Sequence, residues 1–157
     1  MDKAPMTSKG HGDLEAELKR LKTIERPDII RAIAVAREHG DLSENAEYHA
    51  ARERQAFVEG RVGIIEDLLS RAEIIDVSAI KGKTIKFGAT VKVADEDTDD
   101  QSTYQVVGEH EANIKKGLLS VTSPMARAMI GKTVGDSVEV TTPGGTKSYE
   151  IITVKYK

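Results

Sequence analysis

Two carboxylates three residues apart, Asp41 and Glu44, are the side chains of this sequence best placed to do chemistry. They stand in the run Arg37-Glu38-His39-Gly40-Asp41-Leu42-Ser43-Glu44-Asn45-Ala46-Glu47-Tyr48, between two long stretches of helical character. Gly40 takes a positive φ most easily and would end one helix, and Asp41 is suited to start the next, so the run reads as the tip of a helical hairpin. Both acids would then lie in the first turn of the second helix. Such a pair supplies part of a magnesium shell, because that ion keeps several waters and takes one or two protein carboxylates alongside phosphate oxygens. A half-site of this kind suits two-metal phosphodiester hydrolysis in a site that a partner completes. The spacing is equally that of a capping box, with Asp41 accepting from the amide of Glu44 and Glu44 reaching back; on the residues alone this is the commoner meaning.

The neighbouring residues admit two readings each. Glu47 could assist the acids or stay solvated, Asn45 could orient a substrate or help the turn, and Tyr48 falls on the packing seam. His39 could exchange a proton near neutral pH, although a lone histidine at a tip is usually just exposed. Arg37, Arg52 and Arg54 lie within a few turns of the tip and are candidates to hold a phosphate backbone there. The other basic residues alternate with acids, as on any solvated coiled-coil face.

The elements that position these groups follow from periodicity. Leu14, Leu18 and Leu21 mark the seam of a first helix that Asp13 would cap, and residues 1–12 are expected to be flexible, although Met6-Thr7 could be ordered. A kink or short break is expected at Glu25-Arg26-Pro27-Asp28, after which Ile29, Ile30, Ile33 and Ala36 resume the buried side. The second helix repeats more regularly: Tyr48, Ala51, Gln55, Val58, Val62, Ile65, Leu69 and Ala72, with Phe57, Ile64 and Leu68 widening the stripe. From about Glu44 to Ala72 it would run roughly 40 Å.

Beyond Lys81-Gly82-Lys83 the period changes to two. Residues 84–87, 90–93, 103–107, 137–140 and 149–154 alternate as half-buried strands, with an acidic loop at 95–100 and a turn at Thr142-Pro143-Gly144-Gly145-Thr146. One short helix is expected, capped by Ser123, with Pro124 first and Gly131 past its end. The sequence therefore specifies an α+β chain: a coiled-coil hairpin over 1–78, a linker over 79–83, and a small β-rich domain over 84–157. That domain holds no nucleophile beside a base and no glycine-rich phosphate cradle. Docking is its expected role, with Ser123, Pro124 and Met125 a candidate surface and packing inside the domain the equal alternative.

With 39% hydrophobic and 31% charged residues, two Phe and no Trp, any core must be aliphatic and modest. The absence of Cys removes disulfides, thiolate catalysis and Cys-ligated metals. A net charge of −3 excludes binding of nucleic acid by bulk electrostatics. No apolar run approaches the roughly 20 residues of a membrane span and no signal peptide is evident, so a cytoplasmic location is expected.

The run from Ala34 to Tyr48, together with Phe87-Gly88-Ala89-Thr90-Val91, Ser123-Pro124, Gly131-Lys132 and Thr142-Pro143-Gly144-Gly145, resembles the bacterial Gre transcript cleavage factors, in their less basic type. The resemblance covers essentially the whole chain. It implies an N-terminal antiparallel coiled coil and a C-terminal FKBP-like β-domain. It further implies docking of that domain at the secondary channel of bacterial RNA polymerase and entry of the coiled coil into the channel. Asp41 and Glu44 would help hold a second Mg2+, shared with the polymerase, while the nascent RNA 3′ end of a backtracked complex is cut. The polymerase owns the hydrolysis, this chain enhances it, and a monomer is expected. Two other classes remain: a non-catalytic occupant of the channel, and a free-standing nuclease, against which the missing metal ligands argue.

Overall fold

The computed structural model describes residues 2–41 and 44–156. Leu42 and Ser43, in the middle of the tip motif, lie outside the described residues. The chain divides into two compact units, one of residue 2 with 11–72 and one of 3–10 with 73–156.

The first unit is a helical hairpin. Helix α1 (Ser8–Arg20) passes through a π-helical turn (Leu21–Glu25) into α2 (Arg26–Arg37), and α3 (Ala46–Ser70) returns beside it. At 25 residues α3 is about 37 Å long. The seam buries Leu14, Leu21, Ile29, Ile33 and Ala36 against Ala51, Val58, Val62 and Ile65, each fully buried Val, Leu or Ile contributing about 1.5–3 kcal/mol. Toward the tip the buried residues are small, Ala36 on one arm and Ala51 on the other, which leaves room for close backbone approach.

Three expectations change. No break occurs at Pro27: Arg26 stays right-handed helical (φ −60°, ψ −49°), and its amide donates to the Leu21 carbonyl five residues back. The widened turn moves carbonyls away from the proline ring, which removes the reason to break. Ile30, Phe57 and Ile64 do not widen the buried stripe; they are 56, 73 and 55% exposed, because a two-helix hairpin has no third layer to cover positions outside its seam. The N-terminal residues from Ala4 onward are ordered. Ala4–Thr7 forms β1, which pairs with β2 (Ala72–Ile75) in a two-stranded sheet, Met6 is fully buried, and the Thr7 hydroxyl accepts from the Gly10 amide at 3.0 Å. Helix α1 therefore begins five residues before Asp13.

The second unit is built on a five-stranded sheet, ordered β5-β4-β3-β7-β6, of β3 (Thr90–Asp95), β4 (Gln101–Val107), β5 (Leu118–Ser120), β6 (Ser137–Thr142) and β7 (Gly145–Lys155). All pairs are antiparallel except β4 with β5. Its core joins Val91, Val93, Val106, Val138 and Ile151 to Ile85, Ala89 and to Ala126 and Met129 of the short helix α4 (Pro124–Met129). Between Lys92 and Val93 the register against β7 shifts from Thr153 to Ile151, leaving Ile152 unopposed. That bulge flips the parity of β7, so Ile151 and Val154, three apart, are both buried. Residues 84–87 are not a strand. Ile85 instead exchanges backbone bonds with the turn after α4, donating to the Lys132 carbonyl at 2.8 Å and accepting from the Gly131 amide at 2.9 Å. Among the described residues no helix is long and apolar enough to cross a membrane.

Candidate functional site at the hairpin tip

The tip is assembled by the end of α2 and the beginning of α3. The last amides of the first arm fold back in tight turns, Glu38 to the Val35 carbonyl, His39 to Ala36 and Gly40 to Arg37, at 3.1–3.2 Å. Gly40 then takes a φ of +98°, which only glycine adopts without strain.

Helix α3 starts at Ala46, and its N-cap is Asn45 rather than Asp41. The Asn45 side-chain oxygen accepts from the Tyr48 amide at 3.0 Å while its NH2 donates to the Ala36 carbonyl at 2.6 Å. A carboxylate could supply only the first of these bonds. Asp41 and Glu44 thus precede the helix instead of occupying its first turn, and both are exposed. They line an open depression with His39, Asn45, Ala46 and Glu47. His39 Nε2 lies 3.4 Å from Glu47 Oε2, a contact that spans the two arms and that neither residue type signalled in the sequence. Tyr48 is half-buried, as its seam position requires.

Among the described residues, no three His, Asp or Glu side chains are grouped closely enough to hold a metal ion by themselves. Two exposed carboxylates fit magnesium as part of a shell and no more.

The candidate phosphate contacts separate. Arg54 donates to Glu25 at 2.9 Å, and Glu25 also receives Arg20 at 3.1 Å. Arg37, the last residue of α2, and Arg52, about 9 Å along α3 from its start, are exposed and have no ion-pair partner among the described residues. The remaining cross-arm cations are engaged: Arg26 with Glu59 at 2.7 and 2.8 Å, Arg61 with Glu17 at 2.7 and 2.8 Å, and Lys22 with Glu66 at 3.0 Å. These pairs formed where the sequence suggested a plain solvated face.

In the β unit, Ser123 is occupied in capping α4, accepting from the Ala126 amide at 3.2 Å and donating to the Ser120 carbonyl at 2.7 Å. Met125 packs against the core, and Pro124 is exposed.

Comparison with known proteins gives a consistent result. Residues 4–74 match the family model for the N-terminal domain of transcription elongation factors, and residues 80–156 match the GreA/GreB C-terminal model. The chain is 62% identical over 156 residues to transcription elongation factor GreA of a Caulobacter species, and 64% identical over 156 residues to that of Ruegeria pomeroyi, with 99% of both chains covered in each case. Among solved structures it is similar to GreA factor homolog 1 of Thermus thermophilus, at 28% identity and a TM-score of 0.44, over 98% of this chain and 99% of that one.

Proposed function

Because the chain belongs to the GreA/GreB family of transcription elongation factors, we propose that its hairpin tip enters the secondary channel of bacterial RNA polymerase and stimulates cleavage of backtracked nascent RNA. The observation that supports this reading best is the position of the acids. Asn45, not Asp41, caps α3, and Asp41 and Glu44 are both exposed and line one open depression at the end of the hairpin.

In this reading Asp41 and Glu44 hold a magnesium ion jointly with the polymerase, whose role when bound is to lower the pKa of a water and stabilise charge on the phosphoryl oxygens. Arg37 and Arg52 hold the RNA backbone near the acids, and Arg54, tied to Glu25, contributes less. The β unit docks on the polymerase, with Ser123, Pro124 and Met125 its proposed contact. Hydrolysis belongs to the polymerase, and this chain, a cytoplasmic monomer, is not itself an enzyme.

The test is cleavage of a 3′-end-labelled transcript in a backtracked complex with magnesium, comparing the natural chain with Asp41→Asn and Glu44→Gln. Each variant should lose about 100-fold or more in stimulation, since even groups that only orient metal ligands cost ~10–100-fold, while still competing for polymerase. Variants that stimulate normally would sink the reading; naked RNA cut without polymerase would make the chain a nuclease.

A further inference from the structure

We propose that Asn45 is a positioning residue for Asp41 and Glu44, acting as a clasp that closes the loop on which they stand. The inference rests on the cleavage-factor reading above.

The acids sit in residues 38–45, between the last turn of α2 and the first of α3. Two like charges on one short link repel, Gly40 is conformationally permissive, and neither acid is buried. What joins the two ends of that link is the Asn45 amide. The oxygen is committed to the Tyr48 amide, which starts α3, and the nitrogen to the Ala36 carbonyl, one of the terminal acceptors of α2, at 2.6 Å. Both bonds are half-buried, where loss of a partner is costly. A single side chain therefore fixes the end of one helix to the start of the other. The second connection across the same gap, His39 to Glu47 at 3.4 Å, lies in the depression that holds the acids and occupies Glu47, the third carboxylate there. The clasp thus sets the spacing of the two helix ends between which Asp41 and Glu44 stand. Such preorganisation lowers the cost of assembling a shared metal shell, because the charged ligands need not be gathered at the moment of binding.

The two functions of Asn45 can be separated chemically. Asn45→Ser keeps an N-cap oxygen of equal quality for the Tyr48 amide but has no NH2 to reach Ala36. Asn45→Ala loses both. Because the chain has no Cys, Glu38→Cys with Glu53→Cys, both exposed positions on opposite arms, places two unique spin labels across the tip. The distance distribution between them should be narrow in the natural background and broad in Asn45→Ser, read at a temperature where far-UV circular dichroism shows both proteins folded. In backtracked complexes Asn45→Ser should raise the magnesium concentration for half-maximal stimulation several-fold, within the range typical of residues that orient metal ligands, and leave competition for polymerase unaltered. An unchanged distance distribution, or a magnesium titration that superimposes on the natural protein while Asp41→Asn abolishes stimulation, would overturn the clasp. If Asp41→Asn itself stimulated normally, the parent reading would fall, and the clasp with it.

Discussion

Arg61 grips Glu17 with two parallel N–H donors, and the hydrogen-bonded guanidinium holds the Glu17 carboxyl below the ordinary glutamate range, with burial opposing. Arg26 lowers Glu59 by the same means. A carboxylate depressed in the folded state contributes stability that is fully present above its unfolded pKa of about 4.3 and lost as pH falls through the folded value. The melting temperature of the hairpin, followed by far-UV circular dichroism, should accordingly fall as pH is lowered through about 4 and beyond. Arg61→Gln should flatten that decline and cost no more than about 1 kcal/mol at pH 7, because the pair is partly solvated; an acid profile identical in the variant would dismiss this pair as its source. At the same scale, the tip acids were legible in the sequence but their relation to the helix was not. Asn45 takes the cap because an amide can accept for α3 and donate to α2 at once, and composition cannot reveal that Ala36 presents a carbonyl nearby.

The first arm of the hairpin carries one residue too many for its own seam. Half-buried Leu18 and Glu25 complete the buried series at 14, 18, 21, 25, 29, 33 and 36, which steps by four, three, four, four, four and three; strict alternation would need three where Glu25 passes to Ile29. The π turn over Leu21–Glu25 absorbs the excess, and it also gives Pro27 room. Deleting Thr23, an exposed residue of that turn, should restore an α-helix with Ile29, Ile33 and Ala36 still in phase, and should set Pro27 against the carbonyl four residues back. The expected cost is about 3 kcal/mol in urea denaturation, removed by Pro27→Ala in the same background. A deletion that costs nothing would mean the proline does not need the wide turn. The signal was in the spacing, where three successive steps of four stand beside the proline. Other elements were legible to the degree that local pattern decides them. The hairpin, β3, β4, β6, β7 and α4 follow from periodicity and capping, whereas β1 and β2, four residues each, exist only through pairing between distant parts of the chain. Ile85 alternates like a strand residue because it is buried, yet its partners are Gly131 and Lys132 in the turn after α4.

Over the whole chain, the N-terminal residues 3–10 belong with the β unit although 62 residues of hairpin separate them from it in sequence. Glu111 is the fastening, accepting from the Thr7 amide at 3.1 Å, the Gly108 amide at 3.0 Å and the Thr7 hydroxyl. A Cβ at Gly10 would lie 2.0 Å from the Glu111 carboxylate, whereas one at Gly12 would meet nothing within 4 Å. Gly10→Ala should therefore destabilise by about 1.5–3 kcal/mol, the scale of a hydrogen bond to a charged group. Gly12→Ala in the same helix should stabilise by about 0.5–1 kcal/mol. Calorimetry on the two variants checks the contrast, and shifts of the same sign in both would refute it. Sequence alone marks both glycines as helix breakers, since only the folded chain brings Glu111 alongside.

The cross-arm pairs of Arg26 with Glu59, Arg61 with Glu17, Lys22 with Glu66 and Arg54 with Glu25 have a further consequence. They would form equally well between the first arm of one copy and the second arm of another, because an exchanged dimer repeats every contact of the hairpin. Charge pattern and seam thus define which arms match, but not to which molecule they belong. That choice falls to the link between the arms, which keeps one at high local concentration beside the other. Straightening that link would interlock two copies without changing a single seam residue.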